Sequence, residues 1–310
     1  MGTSATDRDI LIIGGGVFGA AVAYDLARNG LGERVLLLER LQPAAGATSR
    51  AAALVTQVRD KPDQMVLAQQ TLRTITELEQ VYDEDIGRHT VGALHVAPTS
   101  HLHVLQARAD LAAAHGIACT WLSHTDALAR APWLAPSSFD HAVLFPDDCY
   151  VEPYLFATAL LRAACAQGVQ VEAAEATHIL VEDLCIQGVG LADCRRLPAR
   201  TVVNAAGAWA NLLSAPLGLP LPMAPVRSQY WITEPSPLFP RDGAIVLMPA
   251  VRAYARPEVG ALLFGMRERQ QQVADPRTLP ADLTGFVFDT RDADGWGNLA
   301  VADGRLQAEI

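Results

Sequence analysis

The sequence predicts an α/β protein of two parts, one with a parallel sheet and one an α+β part built on a mostly antiparallel sheet. Three observations carry this. Residues 9–30, DILIIGGGVFGAAVAYDLARNG, set four consecutive apolar residues against a glycine cluster and then an alanine-rich run. That is the pattern of a short buried parallel strand, a tight turn and a helix. From Pro225 onward the chain becomes strand-rich, with RSQYWITEP, AIVLMP, AYARPEV and ALLFGMRE. Finally, 310 residues suit about two domains, and with 50% apolar and 19% charged residues the chain can bury a sizeable core.

In chain order, residues 10–13 are the first strand and 17–28 the first helix, stopped by Gly30, which tolerates the left-handed conformation of a helix end. Residues 34–38 form the second strand, ending at Glu39, and complete one βαβ unit. Residues 62–87 read as a helix, 91–97 as a strand and 102–116 as an amphipathic helix, followed by a proline-bounded loop, APWLAPSS. Pro153 opens a helix, where its missing N–H costs nothing. Tyr154, Ala157, Leu161 and Ala164 recur there at helical spacing, and Gly168 ends it. Strands follow at 169–173, around 177–182 and at 201–205.

Gly14-x-Gly16-x-x-Gly19 fits the dinucleotide fingerprint of a Rossmann-like domain. The first glycine permits the tight turn, the second lets backbone approach a pyrophosphate, and the third lets helix and strand pack closely. Val17 and Phe18 sit where the helix N-terminus offers free N–H groups and a partial positive charge. Glu39 follows Gly19 by twenty residues, at the end of the second strand, where a carboxylate can accept from ribose hydroxyls. It would repel a 2′-phosphate, which disfavours NADP; the motif alone leaves NAD and FAD open.

A net charge of −10 argues against nucleic acid or an anionic membrane face as partner. No run of eighteen apolar residues indicates a membrane span. Five scattered cysteines without a CxxC read as reduced thiols in a cytoplasmic protein. His101-x-His103 has no carboxylate partner and reads as surface, so no metal is expected.

Four further segments occur in order: LERLQPAAGATSRAAALV (38–55), DDCYVEPYLFATALLRAACAQGV (147–169), TVVNAAGAWA (201–210) and MAPVRSQYWITEP (223–235). Together with the glycine motif they resemble the D-amino-acid oxidase superfamily of flavoproteins, in its sarcosine oxidase, dimethylglycine dehydrogenase and glycine oxidase branch. The resemblance runs from residue 9 to about 297. It implies a Rossmann-like FAD-binding domain (1–90 and 141–215) interleaved with an α+β substrate domain (91–140 and 216–310). It also implies FAD as cofactor, held by Gly14, Gly16, Val17, Phe18, Gly19, Glu39, Arg40, Thr48, Ser49, Arg50, Ala206 and Gly207. From the residues themselves, Thr48, Ser49 and Arg50 open a small-residue helix, with plain N-capping as the alternative. Ala205 to Ala208 leave room for a cofactor or for tight packing, and Trp209 reads as core, with cofactor wall as the alternative.

Arg50 stands where relatives carry the histidine that links flavin covalently, which implies non-covalent FAD. No cysteine follows Cys194 and no lysine follows Lys61, so two other flavin-side devices of the family are absent. The second absence favours a dehydrogenase that passes electrons to an acceptor. The implied reaction is oxidation of the C–N bond of a small secondary or tertiary amino acid by hydride transfer to flavin, followed by imine hydrolysis. A catalytically impaired FAD-binding subunit and a hydroxy-acid dehydrogenase are the alternatives.

On the substrate side, the resemblance places Tyr230 near the site. Arg252, Tyr254 and Arg256 alternate along one expected strand and so share a face. One arginine there could hold a carboxylate bidentately, the alternative being a solvated edge strand; Arg227 is a weaker candidate. All eight histidines precede residue 179, so the substrate sheet supplies no histidine base. Residues 294–310 read as a helix leading back toward the FAD domain. The family's next segment, which walls the flavin ring, is not in the sequence. The expectation is therefore either a truncated chain or one completed by a partner, in both cases poorly active alone.

Overall fold

The computed structural model describes residues 8–226, 228–266 and 273–283. Arg227 and the expected helix at 294–310 lie outside them.

The first sheet is built by β1 (Ile10–Ile13), β2 (Val35–Glu39), β8 (Gln170–Ala173) and β12 (Thr201–Asn204), all parallel, in the order β12-β1-β2-β8. β1 is buried along its whole length, as its unbroken apolar run requires. Ile12 and Leu37 are wholly inaccessible, and each such side chain contributes roughly 1.5–3 kcal/mol. Over one face lie α1 (Val17–Leu26) and α5 (Pro153–Ala166). They pack through small residues, Ala20, Ala23 and Ala27 against Ala159, Ala163 and Ala164, which lets the helix backbones approach closely. Gly30 takes φ +78° just past α1 and Gly168 φ +99° just past α5, so both expected stops are in place. The other face is covered by an antiparallel three-stranded sheet of β9 (Ala176–Glu182), β10 (Cys185–Leu191) and β11 (Arg196–Pro198), with α6 (Ala210–Ser214).

The second large sheet has seven strands. They are β4 (Ala93–Ala97), β5 (Thr120–Leu122), β6 (His141–Phe145), β13 (Tyr230–Ile232), β14 (Ile245–Met248), β15 (Ala253–Glu258) and β16 (Ala261–Met266), in the order β13-β16-β15-β14-β4-β6-β5. Every pairing is antiparallel except β14 with β4. One face is closed by α4 (His124–Arg130) and the 131–139 loop, with Trp133, Leu134 and Phe139 packed onto Leu94, Leu144 and Val246. The other carries α3 (Leu102–Ala114) at one end and, near its middle, the short ribbon of β3 (Leu54–Val55) and β7 (Cys149–Tyr150). That ribbon joins the two sheets: Leu54 and Tyr150 pack on Ala93 and Ile245, while Val55 and Val151 pack with the first core.

Three expectations are corrected. The break at residue 141 falls too early: β6 pairs with β4 and β5, so by strand pairing the change of sheet follows Phe145. An apolar five-residue run carries no label of the sheet it joins. The helix expected over 62–87 is α2 (Pro62–Val81); Asp83, at φ +54°, cannot continue it. Thr48–Arg50 is a single 3-10 turn and opens no helix, because Ala51 is extended and Ala53 has φ +53°.

His95 and Asp148 are among the buried titratable side chains. His95 on β4 accepts from Arg108 Nη1 at 3.0 Å, and burial, then the nearby guanidinium groups, hold it well below the ordinary histidine range. Asp148 accepts from the backbone and side-chain nitrogens of Gln57 at 3.0 and 3.3 Å; burial pushes its carboxyl up to about 7. None of the described helices is long and apolar enough to cross a membrane.

Candidate cofactor site

The turn from β1 into α1 is shaped by contacts that leave no room for side chains. Gly14 has φ +104°, and a Cβ there would lie 2.5 Å from the Ala205 carbonyl oxygen. At Gly19 a Cβ would lie 1.9 Å from the carbonyl oxygen of Gly14. Thus Gly14 fits the turn against the end of β12, and Gly19 lets α1 sit down on the turn. Gly16 differs: a Cβ there would meet only the Thr48 hydroxyl, at 3.1 Å, so this position borders open space.

That space is a cavity of about 580 Å³. Gly14, Gly16, Val17 and Phe18 line it from the turn, Glu39 and Arg40 from the end of β2, and Thr48 and Ala51 from the following loop. Ala206, Gly207 and Trp209 line it from the exit of β12. Three segments far apart in sequence therefore meet at the C-terminal edge of a parallel sheet, where such sheets place ligands.

The polar groups are held in place. Glu39 Oε2 accepts from Gly15 N–H at 2.7 Å and Oε1 from Leu41 N–H at 3.0 Å. Gly16 has no side chain to cap α1; instead the Thr48 hydroxyl accepts from Val17 N–H at 3.0 Å, capping the helix across the cavity mouth. Arg40 lies 4.1 Å over the Trp209 ring and donates to the Ala281 carbonyl at 2.9 Å, closing one end. Trp209, read as core from the sequence, is half-buried and forms cavity wall. Sequence reading also passed over Asn204: its side chain accepts from Ala206 N–H and donates to the Ala210 carbonyl, fixing the β12 exit turn. Asn at a strand end was the available signal.

Ser49 and Arg50 do not line the cavity. Arg50 turns back on its own loop, bonding the carbonyls of Ala45 and Gly46. The backbone here accepts a guanidinium that the sequence suggested for the cofactor.

The substrate-side candidates separate. Tyr230 and Tyr254 share one row across the sheet, since both stand in register with Gly265. Arg256 is on the same face two residues along, but it is only 4% exposed. Its Nη1 pairs with Glu258 at 2.6 Å, its Nε donates to the Ala52 carbonyl at 3.0 Å, and its guanidinium lies 4.5 Å over the Tyr150 ring. Arg252 is not on the strand: the β14–β15 turn takes residues 249–252, and Arg252 has φ +58° and is exposed. The expectation of two arginines and a tyrosine alternating on one face fails, because strand period does not reveal where a turn ends.

The glycine turn, the pinned carboxylate and the helix N-terminus fit a dinucleotide cofactor: the helix end favours phosphate and Glu39 favours unmodified ribose. Comparison with known proteins agrees. The DAO family, described as FAD dependent oxidoreductase, matches residues 9–291. The chain is 30% identical over 269 residues to 4-methylaminobutanoate oxidase (formaldehyde-forming) of Paenarthrobacter nicotinovorans, covering 83% of this chain and 31% of that protein. It is 30% identical over 273 residues to "Sarcosine dehydrogenase, mitochondrial" of Homo sapiens, covering 83% and 28%. It therefore spans about a third of the length of these curated relatives. Its fold superposes on the crystal structure of glycine oxidase from Geobacillus kaustophilus with a TM-score of 0.71 and 27% identity, over 86% of this chain and 72% of that one.

Proposed function

Because the chain belongs to the DAO family of FAD-dependent oxidoreductases, we propose that it oxidises the C–N bond of a small secondary or tertiary amino acid, with FAD held non-covalently. The observation that carries this reading is the meeting of Gly14, Gly16, Glu39 and Thr48 around one cavity, in a chain with relatives named for N-methyl amine and sarcosine oxidation. In this reading the parallel-sheet part, within residues 8–90 and 146–215, holds FAD. The seven-stranded sheet, with strands between residues 93 and 145 and between 230 and 266, receives substrate.

FAD, when bound, supplies a two-electron acceptor. The chain's own residues do the rest. Glu39 accepts from the ribose hydroxyls while its bonds to Gly15 and Leu41 keep the carboxylate oriented. The N-terminus of α1, with no side chain at Gly16 to intervene, opens onto the cavity and would hold the pyrophosphate. Tyr230 and Tyr254 present their phenols from the substrate sheet. With FAD bound, the hydride leaving the carbon next to the amine nitrogen would pass to the flavin, and water would hydrolyse the resulting imine or iminium. A partner subunit or electron acceptor would then take the two electrons from the reduced flavin.

Arg50 favours non-covalent binding, since a guanidinium turned onto Ala45 and Gly46 is not a nucleophile for flavin. One observation favours a second reading, an FAD-binding chain without catalysis: Arg256, the arginine that sequence suggested as a carboxylate clamp, is already committed to Glu258. Turnover separates the two. Sarcosine and dimethylglycine with a dye acceptor are expected to be oxidised by the flavin-loaded chain, slowly when it is alone. Bound FAD without turnover of any N-methyl amino acid would leave the binding role and end the enzymatic one.

A further inference from the structure

Tyr254 does not stand upright on its strand. A Cβ at Gly265, its cross-strand neighbour on β16, would lie 2.4 Å from both Cζ and Oη of Tyr254. The phenol therefore lies across β16, over the place where a side chain would be. On the far side of Gly265 in the same row stands Tyr230 of β13. The row belongs to the sheet face from which Arg256 reaches the Ala52 carbonyl, next to Ala51 of the cavity wall. A bare glycine thus lets two phenols from non-adjacent strands share one row, on the sheet face that meets the loop leading from the cofactor cavity.

We propose that Gly265 is a specificity-determining positioning residue: its missing side chain seats the Tyr254 phenol across β16 toward Tyr230, and the paired phenols form the edge that recognises the substrate's polar group. This rests on the reading of the chain as an amine oxidoreductase. The atoms a methyl would displace are the far end of one side chain, not backbone. An alanine is thus accommodated by swinging the phenol away, with the sheet left standing.

An aromatic ring over a strand glycine can also serve packing alone. The β9–β10 hairpin has such a pair, with His178 lying over Gly190, where a Cβ would be 2.1 Å from Cε1. That pair is the control.

The test uses the FAD-loaded chain, with acetate as a carboxylate probe read by the change in flavin absorbance and sarcosine as substrate. Gly265→Ala is expected to weaken acetate and raise the KM for sarcosine by about tenfold, a change of ~1.4 kcal/mol, with FAD content and melting temperature unchanged. In a Tyr254→Ala background the same substitution is expected to add less than about twofold, because no phenol remains to displace. Gly190→Ala should leave acetate affinity unaltered. An equal effect of Gly265→Ala in both backgrounds, or none in the wild type, overturns the proposal. Acetate binding that follows this pattern without sarcosine turnover would sustain the phenol seat and refute the amine reaction instead. Absence of both acetate binding and turnover in the wild type would refute the two together.

Discussion

Replacing Gly19 by valine is expected to abolish FAD binding while leaving most of the secondary structure intact. A Cβ at this position would lie 1.9 Å from the Gly14 carbonyl oxygen and 3.1 Å from its carbon. These are backbone atoms of a turn pinned on two sides: Gly14 N–H donates to the Leu38 carbonyl at 2.8 Å, and Ala205 packs against the Gly14 α-carbon. Neither can rotate away, so α1 must lift from the turn. Its N-terminus then leaves the cavity, and Val17 N–H leaves the Thr48 hydroxyl. Overpacking of this kind costs about 1–3 kcal/mol in stability. The loss in binding is larger, because the phosphate-facing amides move as a unit; affinity should fall at least about a hundredfold, or ~2.7 kcal/mol. Flavin fluorescence titration against the purified variant, with circular dichroism as the folding control, checks this. Retained affinity would mean that the glycine turn is not the phosphate site.

The second large effect is expected at Arg256. Removing one partner of a buried ion pair leaves the other uncompensated, at a cost of about 3–5 kcal/mol. The Glu258 side chain keeps 21% of its exposure, which places Arg256→Ala near the lower end. The variant also loses the Nε bond to Ala52, in the loop leading from the cavity, and the contact with the Tyr150 ring of the β3–β7 ribbon. The expected result is a clear drop in denaturation midpoint. Arg256→Lys should fall between, since it keeps the charge but not the planar fork. An unchanged midpoint with a raised KM confined to carboxylate-bearing substrates would return Arg256 to the role of substrate clamp.

These two residues show what the sequence could and could not disclose. The glycine spacing is dictated mainly by local geometry: the turn and the seating of α1 by Gly19 on Gly14 act within ten residues, so 10–39 was readable directly. The same holds for Glu39, whose place at a strand end follows from the βαβ repeat. Arg256 was legible as sharing a face with Tyr254 but neither as buried nor as paired, because Glu258, Ala52 and Tyr150 meet it through contacts that no local period encodes. Arg252 looked equivalent to it only because the chain gives no sign that the turn extends to 252. Trp209 was misplaced for a related reason: its cavity role depends on Arg40, 169 positions earlier in the sequence. The β6 run was apolar enough for either sheet, and only pairing with β4 decides between them.

The most direct test of the central claim, that the cavity between the glycine turn, Glu39 and the β12 exit holds FAD without a covalent bond, is acid precipitation of the purified chain. The account predicts a yellow protein whose flavin passes entirely into the supernatant, is identified there as FAD, and is equimolar with the precipitated chain. Flavin retained in the pellet, or a nicotinamide dinucleotide recovered in place of flavin, would contradict it.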